Sequence, residues 1–377
     1  MNFSIAEKKQ EDKNEEKNDT ESNYLNKLQI ESNTDKTSDI AEKLFKIYKI
    51  FNRMEDIEVG TTPNEIVDEQ RNYSLLHYNP VVSQPAKIPI LIVYALINRS
   101  YILDLQQDKS WIRNLVNQGY DVYLIDWKPP SSSYKYLSFD DYVNYFIDDC
   151  VDYVRKEKFV DRITLHGYCM GATMSAMYCS LHQNKVKNLV TLAPVINTEK
   201  DTTVISNFAK NLDIRNLLNF TGNFPSELLS TCFMALKPFK QGINKYFNLF
   251  ENIDNEKFVK NFLRIEKWLN DIPAIAGETF RQWVEDVYQK NLLYKNQMKI
   301  GNKLIDLRKI NIPIVNIVGE EDHLVSPECS IALNEIVSSD ERKLLTFPTG
   351  HVGLIASGYS QNTVLPTLGR WLRFRSK

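Results

Sequence analysis

A cysteine stands between two glycines at Gly167-Tyr168-Cys169-Met170-Gly171, after a short apolar run and before a helical pattern. A strand that turns sharply into a helix around Gly-x-nucleophile-x-Gly exposes the nucleophile at the carboxyl end of a sheet. The glycines are needed because side chains there would strike neighbouring backbone. The N-terminus of the following helix favours an anion at the sulfur. The Met170 backbone N–H is placed to become one oxyanion donor. The chemistry that such a thiol supports is nucleophilic acyl transfer.

Two partners follow in the order this turn requires: nucleophile, acid, histidine. The run at 312–318 (IPIVNIV) leads into Gly319-Glu320-Glu321-Asp322-His323-Leu324-Val325. An Asp just past a strand's carboxyl end can orient a catalytic imidazole, so Asp322 is the candidate acid, with Glu320 and Glu321 as alternatives. The run at 343–347 leads into Pro348-Thr349-Gly350-His351-Val352-Gly353, and His351 is the candidate base. Taken singly, Asp322 reads as a turn residue and His351 as a surface histidine. Their succession, each after its own predicted strand, singles them out. His77 comes too early, His182 ends a helix, His166 precedes the turn and His323 adjoins Asp322. A second oxyanion donor is expected in the loop after 88–95, from the backbone N–H of Ile97 or Asn98. The sequence holds no Gly-rich phosphate loop and no metal-ligand set, so no cofactor and no metal is expected.

The elements that must position these residues are legible as periodicities. Apolar runs at 88–95 (IPILIVYA), 121–126 (DVYLID), 162–166, 186–193, 312–318 and 343–347 predict buried strands, with a further strand at 73–78. Helical patterns predict helices at 103–118, 139–158 and 170–182. Another is expected at 40–54, its apolar face made by Leu44, Ile47, Tyr48 and Phe51. Strands alternating with helices imply a mostly parallel sheet covered on both faces, the α/β-hydrolase class. The alternation stops at 195–308, a helical, aromatic-rich stretch, so we expect a cap inserted there, with the core at 38–194 and 309–377. Residues 1–37 are rich in charge and poor in large apolar groups, and are expected as a disordered tail.

A formal net charge of −2 gives no basic excess for nucleic acid. No apolar run approaches the roughly 20 residues that span a bilayer, and the N-terminus has no signal-like apolar segment. Cys150, Cys179, Cys232 and Cys329 are scattered and read as small buried hydrophobes in a reducing, cytoplasmic setting.

Four segments resemble the polyhydroxyalkanoate synthases, and within them the short catalytic subunit of the two-component classes III and IV. They are YALINRSYILDL at 94–105, HGYCMGA at 166–172, DIPAIAGETFRQWVEDVYQKNLL at 271–293, and the pair GEEDHLVSP and PTGHVGL. The third has no reason to occur in a generic hydrolase. The resemblance covers about residues 40–375 and implies an activity, polymerisation of (R)-3-hydroxyacyl-CoA into polyester with release of CoA. It puts the family's cysteine, aspartate and histidine on Cys169, Asp322 and His351, and a family tryptophan on Trp371. It also implies a second synthase subunit, a homodimer and association with polyester granules in the cytoplasm. Ala172 departs from the second glycine many members carry, and the charged tail is unlike the family. A Cys-dependent thioesterase or polyester depolymerase of the same fold would give free acid instead of polymer, and a non-catalytic homologue would form no adduct on Cys169.

Overall fold

The computed structural model describes residues 34–376, apart from Arg53 and residues 236–238. Of the tail expected at 1–37, residues 1–33 lie outside the described residues and 34–37 are helical. In chain order the elements begin with α1 (Thr34–Phe51), β1 (Glu65–Glu69), β2 (Tyr73–Tyr78), β3 (Ile90–Val93), α2 (Trp111–Asn117) and β4 (Val122–Trp127). A π-helical turn, Asp141–Phe146, leads into α3 (Ile147–Glu157), followed by β5 (Ile163–Tyr168), α4 (Met170–His182) and β6 (Val186–Leu192). A helical stretch comes next: α5 (Val204–Asn211), α6 (Ile214–Thr221), α7 (Ser226–Ala235), α8 (Phe239–Glu251), α9 (Glu256–Asn270) and α10 (Gly277–Gln282). After a small hairpin of Lys299–Ile300 with Lys303–Leu304 come β7 (Ile314–Gly319), α11 (Pro327–Ile336), β8 (Arg342–Phe347), α12 (Gly353–Ala356) and α13 (Leu365–Arg373).

Eight strands form one sheet in the order β1-β2-β4-β3-β5-β6-β7-β8. β1 and β2 pair antiparallel, as do β2 and β4, and all other pairs are parallel. Every residue of β3, β5 and β7 is buried, as strands covered on both faces must be. Parallel pairing puts the carboxyl ends of β5, β6, β7 and β8 on one edge, with Tyr168 opposite Leu192, Leu192 opposite Ile317, and Gly319 opposite Phe347. That edge is where a doubly wound sheet presents its chemistry.

Three local expectations change. The predicted 103–118 helix is a 3₁₀ turn at Ser100–Leu103 and then α2, started by Ser110, whose side chain accepts from the Arg113 N–H. Asp104 is held out of any helix because its carboxylate takes the Thr62 N–H and hydroxyl, both at 2.7 Å. Helix α1 begins at Thr34, ahead of the expected 40. Its half-buried stripe is Ile47, Ile50 and Phe51 against Leu249, Ile253 and Phe262, while Leu44 and Tyr48 face solvent. β1 was not expected: its sequence EIVDE has no buried face and pairs only with β2.

Candidate active site

Cys169 sits between β5 and α4 with φ 54° and ψ −125°, a conformation costly for a residue with a Cβ. Neighbouring backbone holds it there: the Cys169 N–H bonds Leu192 O at 2.9 Å, and the Cys169 carbonyl accepts from Ala172 and Thr173 at 2.9 and 3.2 Å. The glycines permit the turn. A Cβ on Gly167 would lie 2.4 Å from Ala172 Cα, and one on Gly171 would lie 2.1 Å from Val93 O. Since the second contact is with the main chain of a central strand, Gly171→Ala should cost about 3 kcal/mol of stability. Chemical denaturation measures it, and an unchanged midpoint would refute this account of the turn.

Asp322 lies three residues past β7 and is buried. Its Oδ2 meets His351 Nδ1 at 2.6 Å, and its Oδ1 accepts the N–H groups of Leu324 and Val325 at 2.9 and 3.0 Å. These bonds aim the carboxylate inward, while Glu320 and Glu321 are exposed. Burial works against the Asp322 charge, yet His351 and the two N–H groups outweigh it and hold the carboxyl below its ordinary value. Burial also opposes a charged His351, but Asp322, then Cys169, raise the imidazole well above its ordinary value. The His351 ring therefore has Asp322 on its Nδ1 side and shares a cavity wall with Cys169.

Cys169 and His351 line one cavity of about 310 Å³, together with Tyr94, Ile97, Asn98, Tyr168, Trp268, Leu269, Ile272, Trp283, Tyr288 and Val325. The walls are apolar and aromatic with few polar groups, as substrate pockets are. Burial pushes the phenols of Tyr94, Tyr168 and Tyr288 far up, so they stay neutral beside the thiol. The Tyr168 ring lies 5.0 Å from the His351 ring. Ile97 and Asn98 are both on the cavity wall, and Asn98 has a positive φ of 62°. Met170 is buried, and its N–H, the first of α4, has no acceptor within the helix.

The remaining candidates lie elsewhere or play other parts. His77 bonds Glu65 and Asp121 at 3.1 and 2.6 Å on β2. His182 bonds Asn144 at 2.8 Å. His166 is buried under Trp111 and burial pushes it down to about 4. His323 is exposed and lines the cavity. Trp371 packs under the Arg375 guanidinium, 4.5 Å from its ring centre, away from the cavity. Cys150, Cys179 and Cys329 are buried and Cys232 is half-buried. Among the described residues, no group of three His, Cys, Asp or Glu could hold a metal ion, and no helix is long and apolar enough to cross a membrane.

One feature escaped the sequence reading. The loop after β3 is fastened to the end of α9: Asn98 Nδ2 donates to Trp268 O at 3.1 Å, Trp268 Nε1 to Arg99 O at 2.9 Å, and Arg99 Nε to Asp271 Oδ1 at 3.0 Å. The signal was available, since Arg99 and Asp271 fall in two of the four segments already singled out.

A family model described as the alpha/beta hydrolase fold matches residues 88–357, and one described as the Poly-beta-hydroxybutyrate polymerase (PhaC) N-terminus matches residues 31–115. The "Poly(3-hydroxyalkanoate) polymerase subunit PhaC" of Thiocystis violacea is 44% identical over 85% of this chain and 90% of its own. The protein of the same name from Allochromatium vinosum is 40% identical over 91% of this chain and 97% of its own. The Haloferax mediterranei protein of that name is 44% identical, with 66% of its length covered. Among solved structures, a monoacylglycerol lipase of Paleococcus ferrophilus matches with TM-score 0.53 and 17% identity, covering 81% of this chain and 100% of that one. A lipase-like protein of Sulfolobus solfataricus matches with TM-score 0.54 and 14% identity, covering 84% and 98%. At those identities the two structures bear on the fold alone.

Proposed function

The chain belongs to the PhaC family of poly(3-hydroxyalkanoate) polymerases, and on that premise we propose that Cys169 carries the growing polyester as a thioester. The observation that carries the reading is the Asp322–His351 pair at 2.6 Å, with His351 on the wall of the same cavity as a cysteine on a strained strand-to-helix turn.

In the proposed cycle His351 takes the thiol proton and the Cys169 sulfur attacks the carbonyl of an (R)-3-hydroxyacyl-CoA. The oxyanion is met by the Met170 N–H and by the N–H of Ile97 or Asn98. The carbon–sulfur bond to CoA breaks, and CoA leaves with the proton that His351 returns. The acyl group has moved between comparable thiols, so little free energy is lost. A 3-hydroxyl is next activated by His351, supported by Asp322, and attacks a second acyl thioester. The new ester bond forms as that thioester's carbon–sulfur bond breaks, and the freed thiol takes the proton that His351 drew from the hydroxyl.

Water at this point would divert the cycle to hydrolysis. The apolar walls support a site that excludes it, and we assign residues 195–308 the part of a cap over the cavity. The preferred substrate in this reading is short-chain, such as 3-hydroxybutyryl-CoA. The relatives that this chain covers almost end to end are named as subunits, which supports a second subunit of the class III or IV kind. A homodimer at the surface of a cytoplasmic polyester granule completes the proposal.

Product analysis tests it. The chain, with any protein that co-purifies, should convert 3-hydroxybutyryl-CoA into polymer and CoA. Free 3-hydroxybutyrate with CoA release would instead establish the thioesterase or depolymerase alternative.

A further inference from the structure

The loop that carries the Ile97 and Asn98 N–H groups is anchored to the sheet only at its two ends. Before it, the Tyr94 carbonyl accepts from Trp127 Nε1 at 2.8 Å, and after it Ser100 Oγ donates to Asp126 Oδ1. Between these anchors, among the described residues, 95–99 make no hydrogen bond to any strand. The tethers that reach them come from the end of α9: the Trp268 carbonyl takes Asn98 Nδ2, the Trp268 indole donates to the Arg99 carbonyl, and Asp271 takes Arg99 Nε. Asn98 itself stands at φ 62°, a left-handed conformation that carries a cost for a residue with a Cβ. Helix capping accounts for part of this set. The Trp268 carbonyl is among the last four of α9, which lack partners within the helix, and a guanidinium suits that end of the dipole. Capping does not account for the reverse bond, in which the indole serves the loop. The end of α9 is in turn a fixed post, since Lys267 Nζ donates to the Glu55 and Ile57 carbonyls at 2.7 and 3.1 Å and Arg264 Nε to the Glu58 carbonyl at 2.9 Å.

We infer that the end of α9 sets the second oxyanion donor, with Arg99 and Asp271 as positioning residues that act through Trp268 and Asn98 on the Ile97 or Asn98 N–H. The inference rests on the acylation of Cys169 proposed above. The first donor, the Met170 N–H, belongs to the turn after β5. The two halves of the oxyanion site therefore come from separate parts of the fold, and the site is whole only while α9 is seated. Arg99 and Asp271 are absent from the wall of the 310 Å³ cavity, so replacing them removes no contact with substrate there. Their side chains are 28% and 40% exposed, and an ion pair so placed adds little to stability. Its effect should show in the rate, because a donor displaced by about 1 Å can cost on the order of a hundredfold.

First-turnover CoA release from saturating 3-hydroxybutyryl-CoA reads that effect. Asp271→Ala should slow it at least about tenfold and leave the steady-state KM within about twofold of wild type. Asp271→Asn keeps an oxygen for Arg99 Nε and should recover most of the loss. Alkylation of Cys169 by iodoacetamide, followed on its peptide by mass spectrometry, separates positioning from a merely structural role. There the sulfur displaces iodide from a saturated carbon and no oxyanion develops, so Asp271→Ala should react at the wild-type rate. The inference is overturned if Asp271→Ala releases CoA as fast as wild type, if alkylation slows by the same factor as CoA release, or if Asp271→Asn is as slow as Asp271→Ala. The two readings fail separately. Free acid in place of polymer contradicts the polymerase reading alone, because acylation of Cys169 precedes either product. Polymer made with an unchanged first turnover in Asp271→Ala contradicts this inference alone.

Discussion

Cys169→Ala should stop CoA release from 3-hydroxybutyryl-CoA, with a loss of at least about 10⁴-fold. The size follows from the role assigned to the sulfur. In the proposed cycle the acyl group is first transferred from CoA to it, and no other cysteine can replace it. Cys150, Cys179 and Cys329 are buried, with thiols pushed well above the ordinary value by burial, and Cys232 is half-buried. The fold should survive, because alanine is smaller than cysteine and the turn conformation is set by the backbone and by Gly167 and Gly171. Near-wild-type CoA release with a native melting curve would remove Cys169 from the chemistry. Loss of release together with loss of the melting transition would mean that the side chain holds the turn.

Asp322→Asn should lower activity by about 10⁴-fold, and its cause is open to a measurement that a structural role would not move. In wild type Asp322 and Cys169 raise His351 well above its ordinary value against the effect of burial. Removing the carboxylate leaves burial as the stronger influence, so the His351 titration should move down. The chain has five histidines, few enough to follow individually by proton NMR. His166 is pushed down to about 4 by burial and His182 is lowered as well, so His351 should stand apart on the high side in wild type. The stability consequences have opposite signs. A raised His351 contributes fully below its unfolded value near 6.5, and that contribution is lost as pH rises through the folded value. A lowered Asp322 contributes above its unfolded value near 3.9, and that contribution is lost as pH falls through the folded value. An unmoved His351 titration in the variant would break the link between the two residues.

The sheet, and the places of Cys169, Asp322 and His351 beside it, were legible because each depends on local pattern. β3, β5 and β7 are apolar runs, and Cys169, Asp322 and His351 each follow directly on a strand that parallel pairing brings to one edge. What was not legible depends on contacts distant in sequence. Asp104 looked helical until Thr62 claimed its carboxylate. α1 buries Ile50 and exposes Leu44 because its partners are Leu249, Ile253 and Phe262, which no local period reveals. β1 has neither alternation nor an apolar face, since it is an edge strand with charged residues on both sides. The fastening of Arg99 to Asp271 joins residues on different elements, and only their presence in two distinctive segments hinted at it.

The most direct measurement of the central claim is the mass of the protein itself after brief exposure to 3-hydroxybutyryl-CoA. Rapid acid quench, peptide digestion and mass spectrometry should find a 3-hydroxybutyryl group, alone or as a short oligomer, on the peptide that contains Cys169 and nowhere else. The Cys169→Ala protein should carry none. CoA release by wild type with no adduct at Cys169, or an adduct that persists elsewhere in the alanine variant, would contradict the account.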